Sequence, residues 1–145
     1  METLARVATI LGFPLAVLGL FGAIYTFRRQ MNALLFLEYT KRYEEIINSF
    51  PPSARGARFD LSGEAPPESP ELNAAVLRYL NLCSEEFYLW KRRYLATDIW
   101  YIWESELRRT LRSALIKREW RAVRREFASY PEFAQYVEAC QAGTG

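Results

Sequence analysis

VATILGFPLAVLGLFGAIYTF, residues Val7–Phe27, runs for 21 positions without a charged side chain, bracketed by Arg6 before it and Arg28–Arg29 after it. As a helix rising about 1.5 Å per residue it reaches roughly 31 Å, the thickness of a hydrocarbon core. A cleaved secretory signal has a shorter apolar core and a small-residue cleavage site, and Tyr25–Arg29 offers no such site. The length predicts a single transmembrane helix over 7–27, following a short extracytoplasmic head at 1–6.

Basic residues set the expected orientation. Arg28, Arg29, Lys41 and Arg42 follow the run, whereas Arg6 and the terminal amine precede it. The richer Lys/Arg flank belongs on the cytoplasmic side, which predicts a single-pass inner-membrane protein with its N-terminus outside and its C-terminal domain cytoplasmic. Within the run, Ala8, Gly12, Ala16, Gly19 and Ala23 recur at spacings of three and four, so they share one stripe. Small residues let helix backbones approach closely, and the stripe is a candidate packing face for another transmembrane helix, either a second copy or a partner.

Residues 28–145 suffice for one further domain. Nine Tyr, nine Phe and four Trp in a chain that is half apolar exclude a disordered segment. Leu-, Glu- and Arg-rich stretches with little glycine, and no run of alternating β-branched residues, predict an all-α fold. The expected architecture is the N-terminal span continuous with a cytosolic bundle of about five helices. A juxtamembrane helix covers 28–50 and ends at Pro51–Pro52, and a Pro-rich, acidic connection fills 51–69, pinned by Phe59 and Leu61. The bundle covers 70–141, with a flexible tail at 142–145.

Four helix starts are readable. Ser69 caps, Pro70 takes the first position, and the apolar stripe Leu72, Val76, Tyr79, Leu80, Cys83, Phe87, Trp90 and Tyr94 follows. Asp98 caps a helix bearing Trp100, Tyr101 and Trp103, of which one must face outward because successive positions lie about 100° apart. Ser113 starts the next helix, and Ser129–Glu132 reads as a capping box opening the last one, through Cys140.

The chain contains no histidine, which excludes His-based acid–base or nucleophilic catalysis and His-containing metal sites. Its two cysteines, Cys83 and Cys140, are too far apart in sequence to form a metal or redox motif. Cys83 falls on an apolar stripe and reads as a buried thiol, while Cys140 near the chain end reads as the reactive one. Glu44–Glu45 and Glu85–Glu86 lie on candidate facing helices but lack the Glu-x-x-His pairs of carboxylate metal bundles, so they read mainly as solvated partners of arginine. No glycine-rich phosphate loop occurs. No catalytic residue, cofactor or metal is expected, and the protein is not expected to be an enzyme.

Charge is more informative. Between Arg108 and Glu126 eight basic residues (Arg108, Arg109, Arg112, Lys117, Arg118, Arg121, Arg124 and Arg125) face only Glu119 and Glu126, while the whole chain is +2. Such a surface suits anionic lipid or an acidic partner, or it is an ordinary solvated face. Nucleic acid is the weaker option, since no recognition motif accompanies the charge.

The stretch RYLNLCSEEFYLWKRRYLATDIWYIWESELRRTL (Arg78–Leu111), with REW at Arg118–Trp120 and YPEF at Tyr130–Phe133, resembles an uncharacterised bacterial family. Its members join one N-terminal span to a helical cytosolic domain of unknown function. The likeness covers about residues 20–140 and implies architecture without activity. It draws attention to Asn81 and Glu85, one turn apart, as a possible polar contact for Lys91-Arg92-Arg93.

These readings together give the functional expectation. It is a non-enzymatic, membrane-anchored helical interaction module, an accessory or scaffold subunit of a membrane protein assembly. The alternative is a peripheral anionic-lipid-binding domain using the basic helices of 108–125.

Overall fold

The computed structural model describes residues 2–143, with side chains from residue 14 onward. Among the described residues every regular element is helical and there is no strand. The chain divides within its first helix, α1 (Glu2–Ser49), into a unit ending at Leu35 and a unit beginning at Phe36.

In the first unit the described side chains are nearly all exposed, and Leu15, Leu18, Leu20, Phe21, Ile24, Tyr25 and Phe27 are 46–68% accessible. Pro14 lies inside the helix, which runs through it. No helix among the described residues is long and apolar enough to cross a membrane. This overturns the membrane span expected over 7–27, and with it the single-pass inner-membrane placement, the outside N-terminus and the cytoplasmic C-terminal domain. Among the residues with described side chains, the uncharged part of this run is Pro14–Phe27, and Arg28 and Arg29 follow it at once. Residues 7–13, the first third of the expected span, lie outside the residues whose side chains are described.

The second unit is a helical bundle centred on α3 (Pro70–Lys91), which packs on α4 (Thr97–Leu111), α5 (Ala114–Val123) and α6 (Pro131–Ala142). Its sequence dictates where α3 begins. The Ser69 hydroxyl accepts the Leu72 N–H at 3.1 Å, Pro70 occupies the first turn, and Glu71 faces the positive helix end. The predicted stripe is buried through Phe87, but Trp90 is only half-buried and Tyr94 is exposed. Arg93, at φ 58°, ends the helix in the left-handed region, and the N–H groups of Tyr94 and Leu95 turn back to the Leu89 carbonyl. Leu95 is thereby buried.

Ser113 caps α5, accepting the Ile116 N–H at 3.2 Å. Two expected caps differ. Residue Asp98 lies inside the first turn of α4, which begins at Thr97. Ser129 does not cap α6, because Pro131 holds the first helical position and Tyr130 is the residue before it. The connection after α1 holds one helical turn, α2 (Pro52–Arg55), and a 3₁₀ turn at Ala57–Phe59. Phe50 and Ala54 anchor it in the core. Phe59 is half-buried under the guanidinium groups of Arg58 and Arg109, whereas Leu61 is exposed and pins nothing.

The aromatic surplus forms the core. Phe87 touches Trp90, Trp100, Tyr130, Phe133 and Tyr136 at ring separations of 4.9–6.0 Å, and Trp90 stacks on Trp100 at 4.8 Å. Trp120, Phe127 and Phe133 continue the cluster. Of the three aromatics on α4, Trp100 is fully buried, Trp103 half-buried and Tyr101 exposed.

Candidate functional site

Glu85 and Glu86 are neighbours on α3, and the 100° step between them gives them opposite surroundings. Glu85 meets Arg42 of α1 in a two-pronged pair, Nη1 to Oε2 at 2.6 Å and Nη2 to Oε1 at 3.2 Å. The Tyr39 hydroxyl also donates to Glu85, at 3.2 Å. The hydrogen-bonded Arg42 guanidinium holds the Glu85 carboxyl below its ordinary range.

Glu86 turns inward and is 7% exposed. No hydrogen bond from a described residue reaches its carboxyl. Burial, reinforced by the charge of Glu106, pushes its pKa up to about 8, with Arg42 opposing. At neutral pH it therefore carries its proton.

Glu86 lines a cavity of about 220 Å³. The segment Phe36–Tyr43 of α1 supplies one wall, with Phe36, Tyr39, Thr40 and Tyr43. Tyr79 and Leu82 join Glu86 from α3, and Trp103, Glu106 and Leu107 close it from α4. Trp103 lies nearly parallel to Phe36, at 6.0 Å and 8°, and stacks on Tyr39 at 5.6 Å. Tyr43 sits edge-on to Tyr79 at 6.5 Å. The Tyr43 hydroxyl donates to Glu106 and accepts from Arg58 Nη2 at 3.3 Å. Burial, then this bond to Glu106, raises the Tyr43 pKa to about 12. Burial also lifts the Tyr79 hydroxyl and the Cys83 thiol well above their ordinary values. The cavity thus offers aromatic rings, one neutral acid and a second carboxyl group bound to a phenol.

The predicted site residues fare differently. Ala8 and Gly12 lie outside the residues whose side chains are described. Ala16, Gly19 and Ala23 are exposed, and a methyl group built on Gly19 meets nothing within 4 Å among the described residues. The basic cluster is largely engaged inside the bundle. Arg108 pairs with Glu104 at 2.8 Å, and Arg109 covers the Phe59 ring. Arg112 donates to the Cys140 carbonyl at 3.2 Å. Arg118 holds the buried Glu119 at 2.6 Å and the Pro66 carbonyl, and Arg124 lies 3.5 Å from Glu138. Arg121 and Arg125 are exposed and Lys117 is half-buried.

Other expectations are corrected too. Glu85 meets Arg42 and Tyr39 rather than the turn Lys91-Arg92-Arg93, and Asn81 is exposed. Cys140 is buried like Cys83, and burial raises its thiol pKa. Among the described residues no group of His, Cys, Asp or Glu could hold a metal ion.

The sequence reading of Glu86 as a solvated partner of arginine is corrected, since Glu86 is buried, and Glu106 had no part in that reading. A signal for Glu86 exists, since it stands seven positions after Tyr79 and three after Cys83, on the same buried face. Comparison of the chain with protein-family models, curated proteins and solved structures finds no match.

Proposed function

We propose that the protein is a non-enzymatic helical interaction module, an accessory or scaffold subunit that works by docking to other protein. One observation carries this reading. Between Leu15 and Phe27 the large apolar side chains of α1 are spread round the helix and are exposed, apart from the half-buried Val17. A helix that is apolar all round is stable where its whole circumference is covered, and water is a poor partner for it. Runs of this size mark interaction surfaces. The chemistry available elsewhere agrees: no histidine exists to act as a base, and both thiols are buried.

Chemical cross-linking and analytical ultracentrifugation of the full chain, isolated with whatever it binds, test the proposal. Higher-mass species are expected, and Leu18→Glu combined with Ile24→Glu should dissolve them while leaving the tryptophan fluorescence of the bundle unchanged. A full chain that sediments as a lone monomer and brings down no other protein refutes it. Five of the eight basic residues have contacts within the bundle, which favours docking over a peripheral anionic-lipid-binding role for 108–125.

A further inference from the structure

We infer that the cavity bounded by Phe36–Tyr43 of α1, by α3 and by α4 binds a small organic ammonium ion, held among Tyr39, Tyr43 and Trp103 with Glu86 as its counter-ion. The site goes beyond the docking role of the apolar helix and does not depend on it.

Four observations converge. The volume, about 220 Å³, exceeds the roughly 150 Å³ of an engineered cavity that admits benzene, so a cation of several heavy atoms fits. The walls are mainly aromatic, and aromatic rings attract a desolvated cation, most strongly a quaternary ammonium. Glu86 is more than nine-tenths buried, lines the cavity and has no hydrogen bond from a described residue. Its carboxyl oxygens are not sealed in protein and open onto the cavity, so a ligand there can meet a carboxyl that no described residue satisfies. Finally, the nearby cations of the chain are engaged elsewhere, Arg42 on Glu85 and Arg58 on the Tyr43 hydroxyl and the Phe59 ring. An anion entering there would meet the same Glu106 charge that disfavours ionisation of Glu86.

Binding has a proton balance. The empty site holds Glu86 protonated at neutral pH. When the ammonium enters, that proton leaves to solvent and the carboxylate pairs with the cation, so one proton is released per cation bound. The groups facing Glu86 are Glu106 from α4, Arg42, Tyr39 and Tyr43 from α1, and Glu85, Tyr79 and Cys83 from α3. The phenols and the thiol stay neutral between pH 6 and 8, since burial raises each of them. Arg42 stays charged through the same range.

Choline serves as the probe, titrated calorimetrically into the full chain, with its uncharged isostere 3,3-dimethyl-1-butanol as control. Saturable one-to-one binding of choline is expected, tightening about tenfold per pH unit from 6 towards 8, with the isostere at least tenfold weaker. Glu86→Gln should weaken choline at least tenfold at pH 8 and flatten the pH dependence, and Trp103→Leu should weaken it without flattening it. Glycerophosphocholine separates a free cation, which is expected to bind more tightly, from a phosphodiester headgroup; equal binding assigns the same ammonium site to the headgroup. Absence of choline binding, equal binding of the isostere, or an unchanged affinity in Glu86→Gln overturns the inference. Calorimetry in buffers of different ionisation enthalpy adds the released proton as an independent readout.

Discussion

Raising the pH from 5 to 8 should weaken the helical bundle, and Glu86→Gln should remove most of that weakening. An unfolded carboxyl gives up its proton near 4.5, whereas Glu86 in the fold keeps it to about 8. Between those values the folded chain binds one more proton than the unfolded chain, so stability falls as pH rises. The slope is about 1.4 kcal/mol per pH unit for one group. From pH 5 to 7 the loss is about 3 kcal/mol, and across the whole window it approaches about 5 kcal/mol, an upper limit if water reaches the cavity. Below the unfolded value both states are protonated and the term vanishes. Glu85 has the opposite sign: its folded pKa is lowered, so its contribution is present above the unfolded value and is lost as pH falls through the folded one. Subtracting the parent from Glu86→Gln at each pH cancels Glu85 and every other titration the two chains share. The assay is urea denaturation of both full chains followed by tryptophan fluorescence, since Trp90, Trp100, Trp103 and Trp120 all report on the bundle. The variant should match the parent near pH 4.5 and exceed it by about 3–5 kcal/mol at pH 8. A stability difference that stays constant from pH 5 to 8 refutes the reasoning, because Glu86 would then titrate alike in both states.

The remaining predictions concern helix ends and thiols. Ser113→Ala should cost about 1 kcal/mol in a denaturant titration by removing the cap of α5, whereas Ser129→Ala should change stability by less than about 0.5 kcal/mol because Ser129 caps nothing. Arg93→Gly should stabilise by about 0.5–1 kcal/mol, since the left-handed backbone there favours a residue without Cβ. Both cysteines are buried with thiol pKa values raised by burial, so a colorimetric disulfide reagent should find no rapidly reacting thiol in the native chain and two after urea.

Local chemistry made several boundaries legible. Ser69-Pro70-Glu71 and Ser113 each combine a cap with helix-forming sequence, and Pro51–Pro52 stops α1 because proline cannot donate to the preceding turn. At α6 the same local chemistry points to a different cap. Proline favours the first helical position, so the cap must stand immediately before it, at Tyr130, and Glu132 then falls one position short of a capping box. Cys140 reads as reactive from its nearness to the chain end, but α6 runs to Ala142, closes on Gly143 at φ 77° and buries the thiol. The basic run misled for a different reason. Its partners Pro66, Glu68 and Glu138 are distant in sequence, and Phe59 reaches Arg109 only through the turns that fold the connection back. No pattern within one helix announces such pairs.

The cavity is the feature least accessible to sequence reading, because a void exists only between elements. Its acid nevertheless carries a physical message. A helix that needs only to pack would place an apolar residue at position 86, since a carboxyl there loses most of its hydration and gains no hydrogen bond from a described residue. Glu85, one position away, shows the ordinary solution: it turns outward and takes Arg42 and the Tyr39 hydroxyl. The same chain therefore holds two adjacent carboxyls, one fully provided for and one not. The unmet one is also the one that borders the space, beside aromatic rings and a second acid. A penalty approaching 5 kcal/mol at alkaline pH is large against the 5–15 kcal/mol that typically stabilises a domain. A cation in the cavity offsets that penalty by pairing with the ionised form of Glu86, the role inferred above for this acid.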